Sequence, residues 1–164
     1  MLIDVKQLFD VEGEARRVDY ELDLSGMELG TMCPLSKPVA IRGEICNRAG
    51  VVTLRYTASF VYEGVCDRCL EPVIRPFAMD FEHTLVTRLE GEDQDEFLVI
   101  EDGKLEMDEL VRSDILLEFP TKILCGEDCK GLCPVCGTNR NIRDCGCRKP
   151  QPDPRLAALK ELLD

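Results

Sequence analysis

"VVTLRYTASFVY", residues 51–62, alternates apolar and polar side chains from Val52 to Phe60. Val52, Leu54, Tyr56, Ala58, Phe60 and Tyr62 share one parity, and Thr53, Arg55, Thr57 and Ser59 share the other. A period of two is that of a strand buried on one face. Upstream, Val39, Ile41 and Ile45 alternate with Arg42 and Glu44, and "NRAG" at 47–50 supplies turn residues between the runs. The two segments read as a hairpin. Downstream, Val73, Phe77, Met79, Phe81 and Leu85 share a parity, while Pro72 and Pro76 assign the start of that strand to a sheet edge or a bulge. "VDYELDLS" (18–25) and "EFLVI" (96–100) read as further strands of a mostly antiparallel sheet.

Helix is expected only in the second half. "MDELVRSDILLEFP" (107–120) places Leu110, Val111, Ile115 and Leu116 or Leu117 at helical spacing, with acids at its start and Pro120 as its stop. "DPRLAALKELLD" (153–164) has Asp153 at the N-cap, Pro154 in the first helical position and a stripe of Leu156, Leu159, Leu162 and Leu163. "EGEDQDE" (90–96) reads as a solvated acidic turn between strands, or else as a docking surface for a basic partner. The expected fold is α+β: an acidic, mostly antiparallel β body over 1–122 with one helix at about 108–119, a cysteine-rich metal-binding segment over 123–149, and a C-terminal helix over 150–164.

At 164 residues and 45% apolar, the chain can bury an ordinary core, built on Val, Leu and Ile because aromatics are only 5% and tryptophan is absent. The start, "MLIDVKQLFDVEGEARR", has neither a basic leader nor a long apolar run, and no stretch elsewhere approaches membrane-spanning length. The expected setting is therefore the cytoplasm, where ten cysteines serve metals or chemistry rather than structural disulfides. The net charge of −12 argues against a nucleic-acid clamp spread over the whole surface. Its distribution is uneven, however: residues 130–149 hold Lys130, Arg140, Arg143, Arg148 and Lys149 against Asp144 alone, for a local charge of +4, and residues 1–129 carry −15.

That basic island coincides with the densest cysteines. "CPVCG" (133–137) has the spacing by which two thiolates of one tight loop reach a single ion; Pro134 stiffens the loop and Gly137 permits the turn that aims amides at sulfur. "CGC" offers Cys145 and Cys147 to complete a tetrahedral set. Cys66 and Cys69 of "CDRC" lie at an expected hairpin tip, and Cys125 and Cys129 follow the helix. Eight cysteines thus sort into two candidate sites, Cys133, Cys136, Cys145 and Cys147 in one and Cys66, Cys69, Cys125 and Cys129 in the other, although Cys129 is also placed to substitute for Cys145 or Cys147. Zinc is the expected ion, one or two per chain; a knuckle of this kind also suits iron.

The isolated Cys33 and Cys46 read as buried free thiols. "CDRC" between antiparallel strands lacks the parallel context of a thiol–disulfide enzyme. His83, the one histidine, sits on the apolar parity of a strand and reads as a packed or hydrogen-bonded ring rather than a catalytic base. With no phosphate-cradling glycine loop and no paired acid and base, the chain does not read as an enzyme.

Taken together, "CDRCLEP" (66–72), "DELVRSDILLEFP" (108–120), "LCGEDCKGLCPVCGTNRN" followed by "CGC" (124–147), and "PDPRLAALKELL" (152–163) resemble the YceD family, the large ribosomal RNA subunit accumulation proteins of bacteria and plastids. The resemblance covers nearly the whole chain. It implies a part in synthesis, processing or stability of 23S ribosomal RNA and hence in large-subunit assembly, with no catalytic activity. It also implies that the two cysteine sets are separable, because some members keep the equivalents of Cys66, Cys69 and Cys129 and lack the later set.

Three functions follow as expectations. A non-enzymatic assembly factor would meet ribosomal RNA through Lys130, Arg140, Arg143, Arg148 and Lys149, with Asn139 and Asn141 adding hydrogen bonds. A protein-binding module would use the acidic body to shield a basic large-subunit ribosomal protein. A thiol or iron redox protein is the third. None calls for a membrane or a small-molecule substrate.

Overall fold

The computed structural model describes residues 1–30, 32–88 and 97–148. The acidic turn at 90–96, the C-terminal helix and Lys149 therefore lie outside the described residues. Two compact units emerge: Met1–Gly64 with Val73–Thr121, and Val65–Pro72 with the chain from Lys122 onward.

The first unit is built on a five-stranded sheet. Its strands are β2 (Ala15–Leu22), β3 (Val39–Arg48), β4 (Val51–Val65), β5 (Pro72–Val86) and β6 (Phe97–Val99), adjacent in that order. β2 pairs antiparallel with β3, and β3 with β4. Arg48 faces Val51, so Ala49 and Gly50 alone make the turn, both at positive φ, 53° and 81°. That is the conformation a two-residue hairpin loop demands. The cross-strand bonds Thr57 Oγ1–Asp80 Oδ1 (2.6 Å) and Arg55 Nη2–Glu82 Oε1 (2.7 Å) advance in opposite directions along β4 and β5, so this pair too is antiparallel. Val39, Ile41, Ile45, Val52, Leu54, Tyr56, Ala58 and Phe60 are all buried on the inner parity, which accounts for the sequence alternation.

β6 departs from the antiparallel pattern: it runs parallel to β5, pairing only with Thr84, Leu85 and Val86. A parallel neighbour cannot be joined by a tight turn, and ten residues separate β5 from β6. Because β6 is so short, the start of β5 has one open side among the described residues, and Pro76 is tolerated there.

Helix α2 (Met107–Glu118) has Asp108 and Glu109 in its first turn, where they oppose the positive end of the helix dipole, and it stops before Pro120. It buries Met107, Val111, Asp114 and Ile115. The expected inward place of Leu116 or Leu117 is not found: they are 55% and 81% exposed. At 100° per residue they rotate past the stripe set by residues 107, 111 and 115. Helix is also not confined to the second half, because α1 (Lys6–Asp10) forms one turn, pinned by Asn47, whose Nδ2 donates to the Leu8 carbonyl at 2.7 Å. β1 (Leu2–Asp4) and β7 (Lys104–Glu106), neither anticipated, form a separate antiparallel pair.

Asp114 enters the core with two partners on one carboxylate oxygen. The Tyr56 hydroxyl donates to its Oδ2, and His83 Nε2 lies 2.7 Å from the same oxygen. The His83 ring also stacks near Tyr56, with centroids 6.4 Å apart. His83 is thus the packed, hydrogen-bonded ring its parity implies. A second aromatic group joins Phe60, Tyr62, Phe77 and Phe119, with centroids 5.5–6.4 Å apart.

Candidate metal centres

The second unit holds eight of the ten cysteines, and it has little hydrophobic interior of its own: Ile123 is its one fully buried aliphatic side chain among the described residues. So small a unit needs a staple. All ten cysteines are free thiols.

The first quartet grows from "CDRC". Leu70 N donates to the Cys66 carbonyl at 2.9 Å and Cys66 N to the Glu71 carbonyl at 2.8 Å, closing a tight loop in which Leu70 takes positive φ (61°). The later segment is strapped to this loop. Asp67 N donates to the Ile123 carbonyl (2.9 Å), and Ile123 N returns a bond to Asp67 Oδ2 (2.6 Å). Arg68 Nη1 reaches the Cys129 carbonyl at 3.1 Å. The result brings Cys66 Sγ to 3.7 Å from Cys129 Sγ, and Cys69 Sγ to 3.5 Å from Cys125 Sγ. All four sulfurs lie within 4.8 Å of one another. Four thiolates bound tetrahedrally at about 2.3 Å stand about 3.8 Å apart, whereas a disulfide needs about 2 Å. The spacing fits an ion.

The second quartet is Cys133, Cys136, Cys145 and Cys147, whose sulfurs also lie within 4.8 Å of one another. Cys133 N donates to the Thr138 carbonyl (2.8 Å) and Gly137 N to the Cys133 carbonyl (2.9 Å), while Leu132 and Asn139 form an antiparallel bridge. Gly137 and Gly146 take φ of 71° and 65°; the latter lets a one-residue spacer present both flanking thiols to one point.

Amides aimed at sulfur ready part of each set for metal. Burial opposes ionisation of Cys66, but N–H groups of Cys125, Arg68 and Cys69 outweigh it and hold the thiol down at about 6. The Thr138 hydroxyl and amide, then Cys147, lower Cys136 to about 6. Their partners keep the protons: hydrogen bonding to Cys69 and Cys129 pushes Cys125 up to about 12, and Cys136 and Cys145 push Cys147 up to about 12. Each quartet therefore suits a thiophilic ion, whose binding expels the remaining protons.

The residues with basic side chains lie around the second quartet. Lys130, Arg140, Arg143 and Arg148 are all exposed. The asparagines expected beside them are differently employed. Asn139 Nδ2 donates to Glu71 Oε1 (3.0 Å) and its Oδ1 accepts from Asn141 N (3.0 Å). Asn141 Oδ1 accepts from Lys130 N (2.7 Å) and its Nδ2 donates to Cys129 Sγ (3.3 Å). Their amides brace the two quartets, while Asn141 stays exposed. Arg68, and the role of Asn141 toward Cys129, are not legible in the sequence; the one available signal is their place between cysteines. Cys46 is buried as expected, but Cys33 is exposed, because Pro34 and Leu35 take the inward positions of its loop.

Among the described residues no helix is long and apolar enough to cross a membrane. No solved structure matches the chain. It is 27% identical to "Uncharacterized protein YlbN" of Bacillus subtilis over 97% of this chain and 94% of that protein. It is 30% identical to "Uncharacterized protein Rv2926c" of Mycobacterium tuberculosis over 87% of this chain and 67% of that one. It is also 30% identical to "Large ribosomal RNA subunit accumulation protein YCED homolog 1, chloroplastic" of Arabidopsis thaliana, over 57% of this chain and 33% of that one. The family described as large ribosomal RNA subunit accumulation protein YceD matches residues 54–163, a span that takes in both cysteine quartets, and the chain belongs to the YceD family.

Proposed function

We propose that this protein is a non-enzymatic cytoplasmic factor for accumulation of 23S ribosomal RNA, and so for assembly of the large ribosomal subunit. In this reading zinc fills both quartets, and the second holds a basic surface against RNA. Zinc suits four thiolates with no redox task and holds the local backbone tightly. Bound, it supplies no step of chemistry: it fixes the loop from Cys136 to Cys145, which carries Arg140 and Arg143.

The observation that carries the reading is the concentration of exposed cations around the knuckle. On the sheet unit Arg17, Arg42, Arg48 and Arg55 are each paired with a carboxylate, while, among the described residues, Arg16 and Arg112 are not. Around the knuckle Lys130, Arg140, Arg143 and Arg148 make no ion pair among the described residues. Cations left open on an otherwise acidic protein favour a polyanion. The name borne by the family and by its chloroplast member supports ribosomal RNA as that polyanion.

The test is binding of labelled 23S fragments by fluorescence anisotropy over a salt series. Arg140→Gln, Arg143→Gln and Arg148→Gln together should weaken binding and flatten its dependence on salt. A protein that binds no RNA even at low salt, yet captures a basic large-subunit ribosomal protein, would shift the function to the acidic body with its −15 charge. Metal analysis that returns iron with visible absorbance would point to the redox reading.

A further inference from the structure

The knuckle surface is not uniformly basic, and its one carboxylate is informative. Two hollows lie side by side on the second unit. One, of about 290 Å³, is lined by Lys130, Arg140, Arg143, Asn141, Ile142 and Asp144. The other, of about 520 Å³, shares Arg140 and Asp144 with it and adds Arg148, Pro134, Val135 and Gly146. It also takes in Cys133, Cys145 and Cys147, but an ion in the second quartet needs only a small part of such a volume. The hollow as a whole falls in the range of clefts that hold small organic groups, roughly 300–1,000 Å³.

The first hollow, with three cations, suits a phosphate. The second has a different character. Val135, 59% exposed, lines it, and Ile142, 74% exposed, lines the neighbouring hollow, so apolar surface flanks the cations and offers contact to the flat face of a base. Arginine planes stack on bases as well, which matters because residues 122–164 contain no aromatic side chain.

Asp144 stands where both hollows meet. It forms no ion pair with Arg140, Arg143 or Arg148 among the described residues. Facing only phosphate, a carboxylate at that spot would repel the ligand and reduce affinity. Facing a donor pair, it would select. Among the nucleobases guanine presents two adjacent donors, N1–H and the 2-amino group, matched to the two oxygens of a carboxylate. Those donors lie on the Watson–Crick edge and are accessible only when the base is unpaired.

We infer that these adjoining hollows form a nucleotide site for an unpaired guanine of RNA. The phosphate lies by Lys130, Arg140 and Arg143, the base lies against Val135 between Arg140 and Arg148, and Asp144 accepts from N1–H and the 2-amino group. This rests on the RNA reading of the knuckle and adds to it a base preference.

The experiment compares the metal-loaded full chain with four labelled single-stranded RNA 8-mers. They are identical but for one central G, A, C or U in a uridine context, and the same G strand annealed to its complement is the fifth probe. The G strand should bind about tenfold tighter than the A or U strand, and annealing should abolish that advantage. Asp144→Asn should erase the preference while total affinity holds or rises, since one repelling charge has gone; a misfolded variant would lose binding to every probe. Metal content and circular dichroism of the variant confirm the fold. Equal binding of all four strands, or an Asp144→Asn protein that still prefers guanine, overturns the site and leaves the RNA reading standing. No binding to any strand at low salt removes both.

Discussion

Asn141 Nδ2 donates to Cys129 Sγ across 3.3 Å, although Asn141 lies in the loop between two cysteines of one quartet and Cys129 belongs to the other. An N–H bond to sulfur stabilises the thiolate and fixes its direction, as outer-sphere partners of metal ligands commonly do. The loop from Cys136 to Cys145 thus reaches back to support the first ion. Asn141→Ala should weaken metal retention in the first quartet by about 10- to 100-fold. Competition with a chromogenic chelator reads this out as one faster phase of release. Cys145→Ser should speed the same phase by freeing the loop that carries Asn141. If release from the first quartet is unchanged in both variants, the quartets are independent.

Gly131 supports the same bracing from the backbone. It takes φ of 68°, and a Cβ there would sit 2.9 Å from the Arg68 carbonyl oxygen, which already accepts Leu132 N at 2.9 Å. Gly131→Ala therefore meets a conformational penalty and a backbone clash together. The expected cost is about 1–3 kcal/mol, read as an earlier loss of metal during chemical denaturation. A variant that keeps its metal to the wild-type midpoint would show that the loop shifts without cost.

Legibility in the sequence followed the strength of local signals. β3 and β4 were plain because a core on one face imposes period two over 10 and 15 residues, and a turn residue pair marks the join. β6 is legible as a strand but not as a parallel one, since three residues carry no direction. α1 has five residues and no side-chain cap, so nothing announces it. In α2 the leucines at 116 and 117 outweighed Asp114 as core candidates; Asp114 is inside only because Tyr56 and His83, distant in sequence, meet it. Cysteine spacing likewise marks the ligand pairs, whereas their outer partners Arg68 and Asn141 come from loops whose folding brings distant segments together.

Asn47 is a buried polar side chain, and its environment accounts for both ends of its amide. Nδ2 donates to the Leu8 carbonyl, and Oδ1 accepts Gly50 N at 3.0 Å, so one residue ties α1 to the β3–β4 turn. Asn47→Ala leaves the Leu8 carbonyl unpaired and should cost about 1–3 kcal/mol. Asn47→Asp should cost at least as much, because it loses the donor and brings a charge into the core. Urea denaturation followed by far-ultraviolet circular dichroism measures both, and a loss below 0.5 kcal/mol, of the order of a surface change, would mean that water replaces the bond.

Tyrosine supplies a pH test of the sheet unit. Burial, then the bond to Asp114, holds the Tyr56 hydroxyl above its ordinary value; burial, then the Asp108 carboxylate, does the same for Tyr20. A group whose folded value is raised favours the folded state fully below its unfolded value and ceases to as pH climbs beyond it. The window therefore opens near pH 10, the value of a free tyrosine, where the unfolded chain ionises and the folded one does not. Stability should fall with each further increase in pH, and two of the three tyrosines should ionise only as the sheet unfolds. Absorbance of tyrosinate near 295 nm, recorded alongside circular dichroism, should show that part of its rise coincide with the loss of structure. Tyr56→Phe should reduce that fall while costing about 1–2 kcal/mol at neutral pH through the lost bond to Asp114. Full ionisation of all three tyrosines with the circular dichroism intact would mean that Tyr56 reaches solvent, and that its bond to Asp114 does not hold α2 against the sheet.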